Sequence, residues 1–479
     1  FNQTGTGNVY SGYQAGLGSF ENSHSGNVGI GYYALRVVTT GAGNVALGQY
    51  AGDSVTSGGD NVIIGNVAGA TMTSTTNTVL IGRSAGTAIN STDANGTVAI
   101  GYTAGQSITS GAANTVIGYE SGKALTTGGS NISLGYQAHL ALVSGDNNVA
   151  IGVNAADAMA VGESENIAIG TSALGGMDEG TAGGDIDGNI AIGHSALVGG
   201  DLAGNDRQVQ DNIAIGRNSL NSTSDNAQTG TIAIGKDALT ALTSGAGNTA
   251  IGYLAMATST VNHSNVAIGY AAMRYSNGSE SQNVAIGYEA GTSMDNNDSS
   301  KSILIGYRAG KGGTGEIDRC VVIGDGAMDG TGAVGAQQNI FIGNDAGGGT
   351  WTTAASNSNV AIGATAMADA LNGALGNTAL GHDTLKALTS GDYNVAVGHN
   401  AGSTVTTGGG NTLLGRSSGG SLTTGVDNVL IGGYAGNAHN QSYVVCIGAS
   451  SGQHSGGNSV HIGRLAGRFM GGIHNVSIG

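Results

Sequence analysis

The stretch SNVAIGYAAM, Ser264–Met273, returns eighteen residues later as QNVAIGYEAG, Gln282–Gly291. Aligned on the unit N-V-A-I-G, the chain repeats itself 27 times, with closing glycines running from Gly12 to Gly479. The 26 intervals span 467 residues, a mean of about 18, and eleven of them are 17. A period this short and this rich in glycine leaves little room for a helix and predicts one coil of a β-solenoid per repeat. The spacer varies because it lies in turns. The series has no gap, so residues 1–479 are expected to form a single continuous repeat domain.

The five slots alternate in character. Slot one is Asn in 20 of 27 units, and slot three is Ala in 13. Slot two is mostly Val or Ile and slot four is Ile in 21, so the large β-branched residues share one parity. That is strand alternation. Counting on past the slot-five glycine, slot eight is Ala in 21 of 26 complete units, and slot twelve is often a hydrophobe such as Val38, Val55, Leu125 or Leu388. Each unit therefore reads as strand, glycine turn, shorter second strand, glycine turn. Three large apolar side chains cannot form a core alone, and stacking joins them. On apolarity, slots two and four are expected to face the core, with Ile30, Ile268 and Ile286 buried. The Asn column, with Asn27, Asn44, Asn61, Asn265 and Asn283, is expected to form an amide ladder or bond the turns. Slot three, with Ala46, Ala267, Ala285, Phe341 and Leu430, is expected to point away from the coil. An apolar, charge-free stripe there predicts an interface between parallel copies.

Composition agrees with a ladder architecture. Glycine is 91 of 479 residues and proline is absent. Proline would delete an N–H from strands paired on both sides, and glycine supplies the turns. Hydrophobic residues are 39%, so the chain is not a disordered polar one. A formal net charge of -16 argues against nucleic acid and anionic membranes as partners. No apolar run is long enough for a membrane helix. The chain starts on Phe1 within a coil and stops on a motif glycine, so it is expected to be part of a longer protein or to stack end to end.

The unit N-V-A-I-G followed by a small-residue turn resembles the N-S-V-A-I-G-x-x-S repeats in the head of trimeric autotransporter adhesins. NNVAIG at Asn147–Gly152 and GNSVHIG at Gly457–Gly463 come nearest. Similar arrays occur in phage tail fibres. The resemblance spans the whole chain. It implies a parallel β-roll, three chains side by side, on a bacterial or virion surface, attaching to a host glycan or protein receptor.

Candidate sites are few. His382 and His399 share slot six in adjacent coils, a possible metal pair. The same slot holds Tyr in nine coils, including Tyr102, Tyr119, Tyr136, Tyr253, Tyr270, Tyr288 and Tyr307, so it reads first as a turn position and second as a stacking ladder for glycans. The two longest spacers carry the acidic stretch 177–188, with Asp178, Glu179, Asp185 and Asp187, and the stretch 199–210. The first is a calcium candidate that lacks the spaced Asp/Gly signature, so it reads first as a solvated excursion. Slot thirteen holds Thr39, Thr56, Thr109, Thr126, Thr389 and Thr406, an array of the kind ice binding uses, interrupted at Asn90 and Val143. Cys320 and Cys446 lie seven coils apart, beyond disulfide reach. No nucleophile–base pair, phosphate loop or carboxylate pair is present. The reading is therefore a structural surface fibre without cofactor or catalysis, with a glycan- or ice-binding solenoid as the alternative.

Overall fold

The structure, a computed structural model, describes residues 5–18, 23–177, 185–200, 208–223, 228–294, 299–313 and 315–479. The chain divides into two compact units, Phe1–Ala246 and Gly247–Gly479. Each is a parallel β-solenoid. The first stacks 13 three-residue strands, from Val9–Ser11 to Ile232–Ile234, and the second stacks 14, from Thr249–Ile251 to Val476–Ile478. Every one of these strands is slots two to four of a repeat. Like slots lie opposite one another in adjacent coils: Val28, Gly29 and Ile30 pair with Val45, Ala46 and Leu47, and Ala267 pairs with Ala285. No α-helix occurs among the described residues.

Slot five must be glycine for two reasons. Its φ lies between about 124° and 148°, as at Gly48 (134°) and Gly101 (142°), outside the range of residues with a Cβ. Each such glycine also rides on the next one; a Cβ on Gly48 would stand 2.7 Å from the carbonyl carbon of Gly65. The chain turns there and drops the slot-eight Ala into the interior: Ala34, Ala51, Ala104 and Ala309 are all fully buried.

The core face is the reverse of the expected one. Slot three is buried in every described strand except those of Tyr10 and Ser477, which are half-buried. Ala46, Ala267, Ala285, Phe341 and Leu430 have no exposed surface. They therefore fill the coil's own interior and offer nothing to another chain. Slots two and four point outward. Ile268 and Ile286 are half-buried between neighbouring coils, and Ile30 is 44% exposed. The physical reason is width. The strand faces the slot-twelve hydrophobes Val38, Val55, Met72 and Ile108 across one thin layer, so a small side chain at slot three suffices to close it.

Where slot three is large, slot nine gives way in most coils, Val322 with Met328 being the exception. Ile63, Leu80, Leu304, Phe341, Leu413 and Leu430 are matched six residues on by Gly69, Gly86, Gly310, Gly347, Gly419 and Gly436. Where slot three is Ala, slot nine supplies the bulk, as in Ala191–Leu197, Ala214–Leu220, Ala250–Met256 and Ala267–Met273, with both partners buried. Of the four coils with Ala and Gly, three borrow from neighbours: a Cβ on Gly291 would touch Leu304 at 2.8 Å from one side and lie 3.5 Å from Met273 on the other, whereas at Gly105 the coil's own Ile108 stands 2.7 Å away. Leu220 and Met273 hold φ values of 49° and 47°, so core volume outweighs the strain of a left-handed side-chain residue.

The Asn column does form an amide ladder, inside the core. Nδ2 of Asn44 donates to Oδ1 of Asn27 (3.0 Å) and to the Gly58 carbonyl in the next coil (2.9 Å). Its own Oδ1 accepts the backbone N–H (3.2 Å) and Nδ2 (2.8 Å) of Asn61. Asn265 accepts from the backbone N–H of Asn283 at 2.9 Å in the same way. A buried amide that is satisfied on all sides is stabilising, whereas an unsatisfied one is costly.

The second strand is mostly replaced by a bend. The N–H groups of Thr39, Thr40 and Gly41 all converge on the carbonyl of Thr56 in the next coil, at 2.8, 3.1 and 3.1 Å. Short extra strands pair only at Val209–Gln210 with Gln228–Thr229 and at Ile317–Asp318 with Ala336–Gln337 among the described residues.

Candidate functional surfaces

The outer sheet face runs along the stacked strands of each unit. No slot-two or slot-four residue in any of the 27 repeats is charged; apart from Ser11 and four threonines, all are aliphatic. Strands about 4.8 Å apart, showing two outward side chains each, give on the order of 400 Å² of such surface per unit. That is within the range of about 300–600 Å² covered by the largest apolar patch of a typical monomer, a patch that is often functional. Exposure is highest on the terminal strands, at Ile478 (76%), Val476 (70%) and Val9 (55%), and elsewhere reaches 46% at Leu380 and 44% at Ile30.

Beside that face runs slot six. Tyr253, Tyr270, Tyr288 and Tyr307 stack with ring centroids 5.4, 4.8 and 5.3 Å apart and interplanar angles of 25°, 6° and 14°. Tyr102, Tyr119 and Tyr136 repeat the arrangement. Because the rings lie face to face, their π-faces are covered by one another and only edges and hydroxyls meet solvent. A ladder of this kind offers a sugar no open ring face along its length. Neighbouring slot-seven charges tie it down: Glu120 accepts from Lys123 (2.8 Å) and Gln137 (2.9 Å), and these bonds hold its carboxyl below the usual range.

His382 and His399 are stacked in the same manner, 5.2 Å apart with an 8° angle. Nδ1 of His382 lies 2.9 Å from Asp383, which also takes an ion pair from Lys386. Among the described residues no three His, Cys, Asp or Glu side chains are grouped so as to hold a metal ion. Asp178 and Glu179 lie outside the described residues, as do residues 201–207 of the second long spacer. Asp185 and Asp187 are described; Oδ1 of Asp187 accepts the Ser164 N–H, while burial raises its pKa.

The slot-thirteen threonines spend their protons on the chain. Oγ1 of Thr39 donates to the Thr56 carbonyl, Thr56 to Thr73, Thr389 to Thr406 and Thr406 to Thr423, all within 3.0–3.1 Å. Cys320 and Cys446 are free and buried, and burial pushes both thiols up to about 11. Among the described residues no helix is long and apolar enough to cross a membrane.

No model of a known protein family matches the chain. No curated protein matches it either.

What sequence reasoning missed is the outer face itself. Alternation separates two sets of slots without saying which is inside. The inverse sizes of slots three and nine were visible in the sequence and carry that information.

Proposed function

We propose that this β-solenoid is a structural surface fibre, extracellular and non-catalytic, whose copies associate side by side through the slot-two and slot-four face. The observation that carries the reading is the charge-free, mostly aliphatic surface described above. The occupant of that face is a second copy of the chain. A column repeating every 4.8 Å or so is matched in period, over many coils, by an identical solenoid laid parallel to it. The resemblance to adhesin-head and tail-fibre repeats supports three copies and an attachment role at a cell or virion surface. Ice binding is less well supported, since the threonine protons are already bonded to backbone carbonyls. Static light scattering tests the assembly. The wild type should scatter as a multimer, and Ile268→Glu with Ile286→Glu should scatter as a folded monomer. A monomeric wild type would overturn the proposal.

A further inference from the structure

The coils closing on Gly432, Gly448 and Gly463 carry a second, unrelated feature. Slot twelve of the first is His439, and slots three of the next two are Cys446 and His461. In many other coils these slots hold aliphatic core residues such as Val405, Leu422 and Leu430, all fully buried, and where they are polar they hold Ser or Thr, as at Ser133, Ser259 and Thr331. His461 has no exposed surface and neither ring nitrogen has a hydrogen-bond partner. It lies in register with Cys446 on one side and Ser477 on the other. His439 is 5% exposed, and its Nε2 is also without a partner; its Nδ1 receives only a long 3.4 Å contact from the Gln441 N–H. The glycines pack against these groups: a Cβ on Gly452 would stand 3.0 Å from Cδ2 of His461 and 3.4 Å from Oγ of Ser455.

A second observation is independent of the first. No Asp or Glu occurs after Asp427, so residues 428–479 contain no acidic side chain. The same stretch holds four of the chain's ten histidines, His439, His454, His461 and His474, together with Arg464 and Arg468. The titratable groups facing the buried rings are each other and the neutral Cys446 thiol. The remaining charged groups of these coils, Arg464, Arg468, His454 and His474, are exposed and can only be positive or neutral. A proton placed on either buried ring would meet no counter-charge.

We propose that these coils form an acid-sensitive segment, in which protonation of His439 and His461 opens residues 430–470 while the coils just before them, residues 385–425, stay closed. Burial, and then His461, push the His439 imidazole down to about 4, and burial lowers His461 as well. The folded form thus binds fewer protons than the open form, whose histidines titrate near 6.5. Stability is whole above about pH 6.5 and is lost as pH falls toward 4, with the opening constant rising about tenfold per pH unit for each such ring. His139 in the first unit is also fully buried, with Nδ1 bonded to Ser133 Oγ at 2.7 Å and burial taking it to about 3, so the same linkage makes its own coil lose stability below about pH 6.5.

Hydrogen exchange read by mass spectrometry tests this, after correction for the intrinsic rate. Between pH 7 and pH 5 the opening constant of peptides in 430–470 should rise at least about tenfold, while peptides in 385–425 stay level. His439→Leu with His461→Leu should abolish the rise; Gly436 and Gly467 leave room for both leucines. Ring titration of the wild type by NMR needs no variant. Equal opening in both segments, no change with pH, an unchanged rise in the double variant, or folded-state titration of both rings near 6.5 would each overturn the proposal.

Discussion

A side chain placed at Gly310 would begin 2.6 Å from Cδ2 of Leu304, so the two positions share one volume of the core. Phe341 and Gly347 are related in the same way, with the ring 3.0 Å from the missing Cβ. Slots three and nine therefore form one packing site that either can fill.

The uniform run Ala191–Leu197, Ala214–Leu220, Ala233–Leu239 is where this can be tested by exchange. Ala214→Leu alone should overpack and cost about 1–3 kcal/mol. Leu220→Gly alone should leave a cavity worth about 2–4 kcal/mol, partly offset by relief of its positive φ. The double variant should recover at least about 1 kcal/mol of the summed loss in urea unfolding, a coupling expected only of neighbours. Simple additivity would show that the two slots do not share space.

The amide ladder gives a second expectation. Asn394 donates to Asn377 and to the Gly408 carbonyl, and accepts both N–H groups of Asn411. Asn394→Ala should cost about 3 kcal/mol, because buried groups on both neighbouring coils lose partners. Asn394→Thr should cost less. Thr78 takes this slot naturally, and its Oγ1 donates to Asn61 at 2.7 Å. Equal losses for Ala and Thr would contradict the ladder's role.

The period, the strands, the glycine turns and the Asn ladder were legible in the sequence, because each rests on a local chemical demand repeated in every coil. The inside of the coil was not. Ile268 is larger and more apolar than Ala267, and by transfer free energy alone it belongs in the core. The coil is too thin for that preference to decide. Hydrophobes from slots nine and twelve fill the space, so the strand turns its small face inward. The second strand failed for a related reason: three N–H groups on one Thr56 carbonyl make a bend, and hydrophobic spacing says nothing of that. The stacking of the tyrosines was predictable from their shared slot; that it closes their faces required the interplanar angles.

Cys320 and Cys446 are expected to be inert. With thiols raised to about 11 and no exposed surface, neither should react with a disulfide reagent at neutral pH until the coils unfold. Chelator and reductant together should leave the melting temperature unchanged. Rapid thiol labelling of the native protein, or a large fall in melting temperature with chelator, would contradict this.

The orientation of the strand is the claim on which the fold, the ladder and the proposed assembly all depend, and two neighbouring substitutions separate its alternatives. Urea unfolding of Ala267→Glu and Ile268→Glu, each measured at protein concentrations low enough to keep the chain monomeric, is the direct measurement. Ala267 is fully buried, so the glutamate there should cost about 4 kcal/mol or more or prevent folding. Ile268 lies on the outer face, so its glutamate should shift stability by no more than about 1 kcal/mol. The opposite order, with Ala267→Glu tolerated and Ile268→Glu unfolded, would contradict the account.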